Sequence, residues 1–345
     1  MAAVAKESRL QKLRIRPMKF PQFFEYYKLA KLNPWTVFEL KFLSDKQDWI
    51  NHLTPLEKAV ITRALTAFTL IEELVGDYWS RIATYYDVPE IIMMCREFST
   101  QESNHWYSYN YIEEVFDLDT FEQFVKDKEA TQKIENAIDL EGKSDKLTSL
   151  AVFSGAVEGC SLFTIFALLV MFCRNNKMNT VKDILGWSAV EESLHSRGGI
   201  DLYHVEKEKM LKEDTHCQYD WNKHHQEVFE GFNAVMNSEI RFIEYVLPED
   251  LSFVTKEDLK SYLFLLGNRK LEELGLIDKT EPYYVKNPEK AREIDRMMKT
   301  LVKGKSNSDF FNRKLSDSYI AVVSQDFTQI DYSKKRNLYR EFITA

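Results

Sequence analysis

The sequence predicts an all-α protein built as a helical bundle, and three observations carry that expectation. Glycine and proline are scarce, at 11 and 8 of 345 residues, so few positions interrupt helices. Apolar residues recur at spacings of three and four through most of the chain, with no alternating run long enough for a strand. One pattern, an isolated Glu followed about one helix pair later by Glu-x-x-His, occurs twice.

The elements follow in order. Residues 1–45, with Pro17, Pro21, Pro34 and dispersed aromatics, read as an N-terminal arm with short ordered pieces. A regular helix starts at Thr54-Pro55, a good N-cap followed by proline at the first helical position. It aligns Leu65, Phe68, Glu72, Val75 and Trp79 on one face. The next helix begins after Pro89 and aligns Met93, Phe98, Glu102, His105, Tyr109 and Ile112. A polar stretch at 139–146 separates this half from a second that repeats the plan, with helices near 148–174 and 180–212. Later helices are expected near 220–246 and 255–274. The latter opens on Thr255-x-x-Asp258, which approximates a capping box, and stops at Gly275. Residues 46–302 thus form the main helical domain. From Lys303 the chain mixes polar, charged and aromatic residues without periodicity, and 303–345 reads as a flexible C-terminal tail.

Composition bounds the function. A net charge of −8, from 46 basic and 54 acidic residues, offers no basic face for nucleic acid. Cys95, Cys160, Cys173 and Cys217 show no C-x-x-C spacing, and three lie in apolar helical segments, as reduced core thiols of an intracellular protein do. The segment 149–173 is apolar over the roughly 20 residues that a bilayer requires. Glu158 in its middle and Arg174 at its end argue instead for a central bundle helix, with no membrane role. The opening MAAVAKESRLQKLRIRP holds no apolar stretch of signal-peptide type, so a cytoplasmic location is expected.

The two Glu-x-x-His motifs are Glu102/His105 and Glu192/His195. Residues three apart on a helix share a face, with Cβ atoms roughly 5–6 Å apart, so each pair can grip one metal ion from a rigid backbone. Glu72 stands 30 residues before the first motif and Glu158 stands 34 before the second. A single Glu-x-x-His is more often a solvated surface pair. Two copies in apolar helices, each with its upstream Glu, are better read as a ligand set. One Glu from each of two helices plus Glu-x-x-His from each of two others is the scheme of ferritin-like dinuclear carboxylate bundles. Four carboxylates and two neutral imidazoles balance two divalent ions, and mostly oxygen ligands with some imidazole suit iron or manganese. Asp201 and His204 form a weaker third acid-x-x-His with no partner half-site, expected at an exposed helix end. Tyr109, seven residues after Glu102, returns to within about 20° of its direction and projects from the ligand face, while Tyr107 and Tyr111 point elsewhere.

At these residues the chain resembles the radical-generating small subunit of class I ribonucleotide reductase. The order Glu72, Glu102, His105, Glu158, Glu192, His195 matches the family pattern, and Tyr109 falls on its radical-bearing tyrosine. NPWTVFELKFLSDKQDWINHLT resembles the family's entry segment and puts Trp35 on the tryptophan of its radical-transfer route. LFLLGNRKLEELGL and SDFFNRKLSDSY are similar to family segments without a metal role. The resemblance implies a homodimer that works with a large catalytic subunit. In that family an oxygen species oxidises the metal pair, and the resemblance implies here a stored one-electron oxidant, on Tyr109 or on the metals, that passes to the large subunit for reduction of ribonucleotides. Glu72 stands where the best-known members have Asp, as in manganese-using members, and Glu73 is an alternative first ligand. Glu191 stands where the radical path usually has Asp, and Tyr332 and Tyr339 are both possible tail relays. By the ligand pattern alone, a stand-alone ferritin-like oxidase or a storage protein would also fit, but neither needs Trp35 or a long tail.

Overall fold

The computed structural model describes residues 14–118, 126, 145–173, 177–212, 219–278 and 280–306. Among these the chain is all-helical apart from one isolated bridge between Leu251 and Val254. The helices are α1 (Pro21–Lys31), α2 (Leu43–Asn51), α3 (Pro55–Thr84), α4 (Pro89–Val115), α5 (Lys146–Phe172), α6 (Asn179–Lys212), α7 (Trp221–Val246), α8 (Lys256–Glu273) and α9 (Pro288–Ser306).

Helix ends are set by short-range chemistry. At α3, Thr54 Oγ1 accepts from Glu57 N while Glu57 Oε2 accepts from Thr54 N, a reciprocal capping box ahead of Pro55. Thr255 and Asp258 close the same box on α8, and Gly275 leaves that helix at a φ of 66°, a left-handed conformation that costs glycine little. The start of α6 is capped from far away in sequence. Asp45 in α2 accepts from Thr180 N and Val181 N, and Asp48 accepts from Met178 N. These carboxylates satisfy orphan donors and complement the positive end of the α6 dipole.

The core lies between α3, α4, α5 and α6. α3 and α4 pack along their lengths, α1 lies on α4, and α6 packs against both α4 and the middle of α5. α5 is the apolar segment long enough to span a bilayer, and 94% of its most apolar window is buried inside the protein. Its middle, Phe153–Ser161, winds as a π-helix, a form that recurs at functional sites. Close packing there depends on glycine: a Cβ on Gly199 of α6 would sit 1.9 Å from Ser154 Oγ. The two helices can therefore approach only because that side chain is absent.

The structure departs from the expected elements in four places. Met94, not Met93, faces the core of α4. α9 was not anticipated. Its buried positions Ala291, Ile294, Met298 and Val302 have helical spacing, but they are diluted by charged residues on its wide outer face. Within the arm, α1 buries Phe23, Tyr26, Leu29 and Ala30. Asp201 does not lie at an exposed helix end: α6 continues to Lys212, Asp201 is buried and accepts from Tyr26 Oη at 2.8 Å, and His204 meets the carbonyl of Glu273. α9 carries helix to Ser306, past the expected start of the tail at 303, while Cys217, Arg174, most of 139–146 and the tail from 307 on, with Tyr332 and Tyr339, lie outside the described residues.

Candidate metal centre

Four helices deliver the six expected ligands to one point. Glu72 comes from α3, Glu102 and His105 from α4, Glu158 from the π-helical part of α5, and Glu192 and His195 from α6. All six are fully buried. They form two overlapping groups, Glu72, Glu102, His105 and Glu192 in one and Glu102, Glu158, Glu192 and His195 in the other, with donor atoms in each within 4.8 Å of one another. Glu102 and Glu192 belong to both groups, as carboxylates bridging two ions would. Glu73 is exposed on the opposite side of α3 and does not reach the cluster.

Both imidazoles turn Nδ1 inward. His105 Nδ1 lies 3.0 Å from Glu102 Oε2, 2.9 Å from Glu192 Oε1 and 3.8 Å from Glu72 Oε2. His195 Nδ1 lies 2.5 Å from Glu102 Oε1 and 3.3 Å from Glu192 Oε2. Despite this crowding, both oxygens of Glu72 and Glu192, Glu102 Oε1, Glu158 Oε2 and His195 Nδ1 make no hydrogen bond. Proximity without hydrogen-bond geometry is what lone pairs aimed at a common point produce. Orphaned buried polar atoms are rare and costly, so this donor set fits a pair of divalent cations well. Its oxygen-rich composition fits hard or borderline ions.

The protonation pattern agrees. Burial pushes Glu72 and Glu158 well above the usual carboxylate range, and neighbouring carboxylates add to the rise. Burial acts on Glu192 in the same direction, but the facing imidazoles outweigh it and hold that carboxyl low. For His195, burial disfavours the charged ring, yet Glu102 and Glu192 carry it up to about 10, and His105 is likewise raised by Glu102 and its other carboxylate neighbours. The raised carboxyls of Glu72 and Glu158 favour their protonated forms, so protons compete with cations for the cluster.

The surrounding groups orient the ligands. Trp79 Nε1 donates to Glu158 Oε1 at 2.6 Å and leaves Oε2 facing inward. His105 Nε2 donates to Glu191 Oε2 at 2.7 Å, and His195 Nε2 to Gln101 Oε1 at 3.0 Å. Each histidine is therefore held by the residue just before the glutamate of the other motif. Glu191 is among the residues expected from the sequence. Gln101 is not, although its place one residue before Glu102, matching Glu191 before Glu192, was a readable signal. Glu191 also ties in the arm: its Oε2 accepts from Trp35 Nε1 at 3.1 Å and its Oε1 from Asn33 Nδ2 at 3.2 Å. Trp35 is half-buried, stacks on His105 with ring centroids 5.8 Å apart, and its carbonyl accepts from Asn104.

Tyr109 is fully buried, stacked on Phe68 at 5.0 Å, and its hydroxyl makes no hydrogen bond. Burial raises its phenol pKa well above the ordinary value, and the charge of Glu72 adds to the rise. Tyr107 is exposed and Tyr111 half-buried, both turned from the cluster.

Comparison with known proteins follows the same lines. Residues 12–303 match the family described as ribonucleotide reductase, small chain. A protein of Invertebrate iridescent virus 6, named a probable ribonucleoside-diphosphate reductase small subunit, is 24% identical, with 88% of this chain and 92% of that protein aligned. Among solved structures, the ribonucleotide reductase R2 subunit from Clostridium botulinum superposes with a TM-score of 0.68 at 16% identity, covering 81% of this chain and 88% of that one. A ribonucleotide reductase homodimer from Saccharomyces cerevisiae gives 0.63 at 14% identity, covering 79% and 84%.

Because Glu102 lies in both groups, Glu102→Ala is expected to abolish uptake of both ions, leaving under one tightly bound ion per chain by metal analysis. Two retained ions would contradict the site. Ligation requires the protons on the cluster to leave. Loading Mn2+ at pH 7 should therefore release protons into weak buffer, and affinity should rise with pH and fall as pH drops. A pH-independent affinity between 6 and 8 would refute the described protonation.

Proposed function

The chain belongs to the ribonucleotide reductase small-chain family, and from that membership we infer that it is the small subunit of a ribonucleoside-diphosphate reductase, an oxidoreductase that makes deoxyribonucleotides. Its work is to hold a dinuclear metal centre and hand one oxidising equivalent to a large catalytic subunit. The observation that carries this reading beyond a metal-binding bundle is the hydrogen-bonded chain from half-buried Trp35 through Glu191 to His105. A stand-alone oxidase or a storage protein has no use for such a connection, and neither reading is favoured.

Glu72, Glu102, His105, Glu158, Glu192 and His195 are assigned as the ligands. When bound, the ion pair supplies the one-electron oxidising power. The carboxylate-rich set supports iron and/or manganese, and Glu72, where the best-known members of the family have Asp, supports manganese. Tyr109 is assigned as the residue that would hold the oxidant, as a phenoxyl radical: its ring would give one electron to the oxidised ion pair and its Oη one proton to the carboxylate set, where Glu72 bears on the phenol. Its burial against Phe68 keeps water from the ring, and its raised pKa keeps the phenol protonated until that step. Glu191 Oε2 accepts from both Trp35 Nε1 and His105 Nε2, so a proton can shift along this path as an electron passes it. Trp35, Glu191 and the tail residue Tyr332 are assigned to radical transfer.

The chain then divides into an arm (1–45), the ferritin-like metal-binding domain (46–302) and a tail (303–345) that docks the large subunit. A homodimer is supported by exposed aromatic surface: Phe38, 73% exposed, packs on Tyr107 beside Trp106, and the latter two are 44% exposed. The three buried, unpaired thiols Cys95, Cys160 and Cys173 support a cytoplasmic location.

Metal-loaded protein mixed with the large subunit of its source should form deoxynucleotides, and a lack of turnover would oppose the assignment. In that assay Tyr109→Phe, which removes only a hydroxyl, should keep fold and metals while the organic radical signal in electron paramagnetic resonance and turnover vanish together. Substantial turnover with a high-valent metal signal would move the oxidant to the metals. Deleting residues 326–345 should leave metal loading intact and eliminate turnover. Full turnover by that truncated chain would show that docking lies elsewhere.

A further inference from the structure

We infer that Gln101 is a positioning residue for the ion held by His195, that the carbonyl of Ala30 orients it, and that its neutral amide makes the two halves of the centre unequal. The inference rests on the metal-centre reading above. Gln101 is buried between α1 and the cluster. Its Nε2 donates to the carbonyl of Ala30 at 3.4 Å, and its Oε1 lies 3.0 Å from His195 Nε2.

The two ends of an amide are told apart by their partners. A backbone carbonyl can only accept, so the amide nitrogen of Gln101 must face Ala30 and the amide oxygen must face His195. That oxygen in turn can only accept, so His195 carries hydrogen on Nε2 wherever the bond is kept. Nδ1, which faces Glu102 and Glu192, is left as the ligating atom. One carbonyl in the last turn of α1 therefore selects the tautomer and ring orientation of a ligand in the middle of the bundle.

His105 is held by a different chemistry. Its Nε2 meets a carboxylate, Glu191, which is itself fixed by Trp35 and Asn33. A charged acceptor makes the imidazole a stronger donor to its ion than a neutral amide does. The half containing Glu72 and His105 thus carries one more negative charge in its surroundings than the half containing Glu158 and His195, whose outer partners are the neutral Gln101 and Trp79. The first ion should be held at the His105 half and the second, weaker ion at the His195 half.

The test is a titration of the full-length chain with Mn2+ alone, following free Mn2+ by electron paramagnetic resonance. Wild type should take up two ions in two steps. Gln101→Met, nearly equal in shape but without an acceptor, should weaken the second step by about 10–100-fold and leave the first unchanged. Gln101→Glu, which gives His195 a charged acceptor like the one Glu191 gives His105, should bring the second step to the wild-type affinity or tighter. Equal thermal stability of the metal-free variants would separate this selective effect from a general structural loss. Unchanged affinities in Gln101→Met, equal weakening of both steps, or a Gln101→Glu variant as weak as Gln101→Met would each overturn the inference. If wild type takes up no Mn2+, the metal-centre reading itself falls, and the inference with it. If wild type binds two ions and Gln101→Met binds them alike, the inference falls alone.

Discussion

Four fully buried carboxylates within a few ångströms of each other are the constraint on which the rest of this molecule depends. Each charged oxygen removed from water costs several kcal/mol unless positive charge or hydrogen bonds replace the lost solvation. Two imidazoles cannot supply that for four acids, so the cluster is tolerable only with protons or cations inside it. The scaffold has to hold it still in either state, and long helices do this without exposing backbone polar groups. α3, α4 and α6 run 30, 27 and 34 residues, well beyond the roughly 10–14 of an average globular helix.

The two half-sites are repeats in sequence but not isolated units in space. Glu102 and Glu192 contribute to both groups of donors, and each histidine leans on a residue from the opposite motif, Glu191 for His105 and Gln101 for His195. α4 and α6 are thereby cross-linked through their own ligands, so displacing either helix disturbs both halves. The arm enters the same network. Ala30, Asn33 and Trp35 bond Gln101 and Glu191, so a stretch of six residues outside the bundle's main helices braces both imidazoles.

Much of this was legible in the sequence, and what escaped notice did so for physical reasons. Helix-period patterning, the Thr54-Pro55 cap and the Thr255/Asp258 box announce α3 and α8 because they act between residues close in sequence. The ligands are legible because a helix turns three-residue spacing into a shared face. The π-helical turn around Glu158 is not: its period differs from 3.6 over only nine residues, and it arises from packing against α6 and α8. Gln101 had a sequence signal in its place before Glu102, but its bond to Ala30 and the burial of Asp201 depend on α1 lying across the bundle, a tertiary fact that no local pattern encodes. α9 escaped because four buried apolar positions among many charges, with Asp295 buried beside them, make a weak stripe.

Under the proposed function a stored oxidant would impose opposite demands on one small volume, and the residues around the centre are arranged to divide them. Tyr109 and the ligands need exclusion of water, since an exposed phenoxyl would be quenched, and all of them are fully buried. Exchange with a partner needs a way out, which a solvent channel would provide only by defeating that exclusion. A hydrogen-bonded chain meets both demands. Trp35 reaches from a half-buried position to Glu191, and Glu191 reaches to His105, each within 3.1 Å and with no gap wide enough for water. In the proposed role, charge would cross from the centre towards the surface along this chain while the packing stays closed. On the proposed function, the aromatic ring stacked on His105, rather than a pore, is the feature that would suit this bundle to giving an oxidant away.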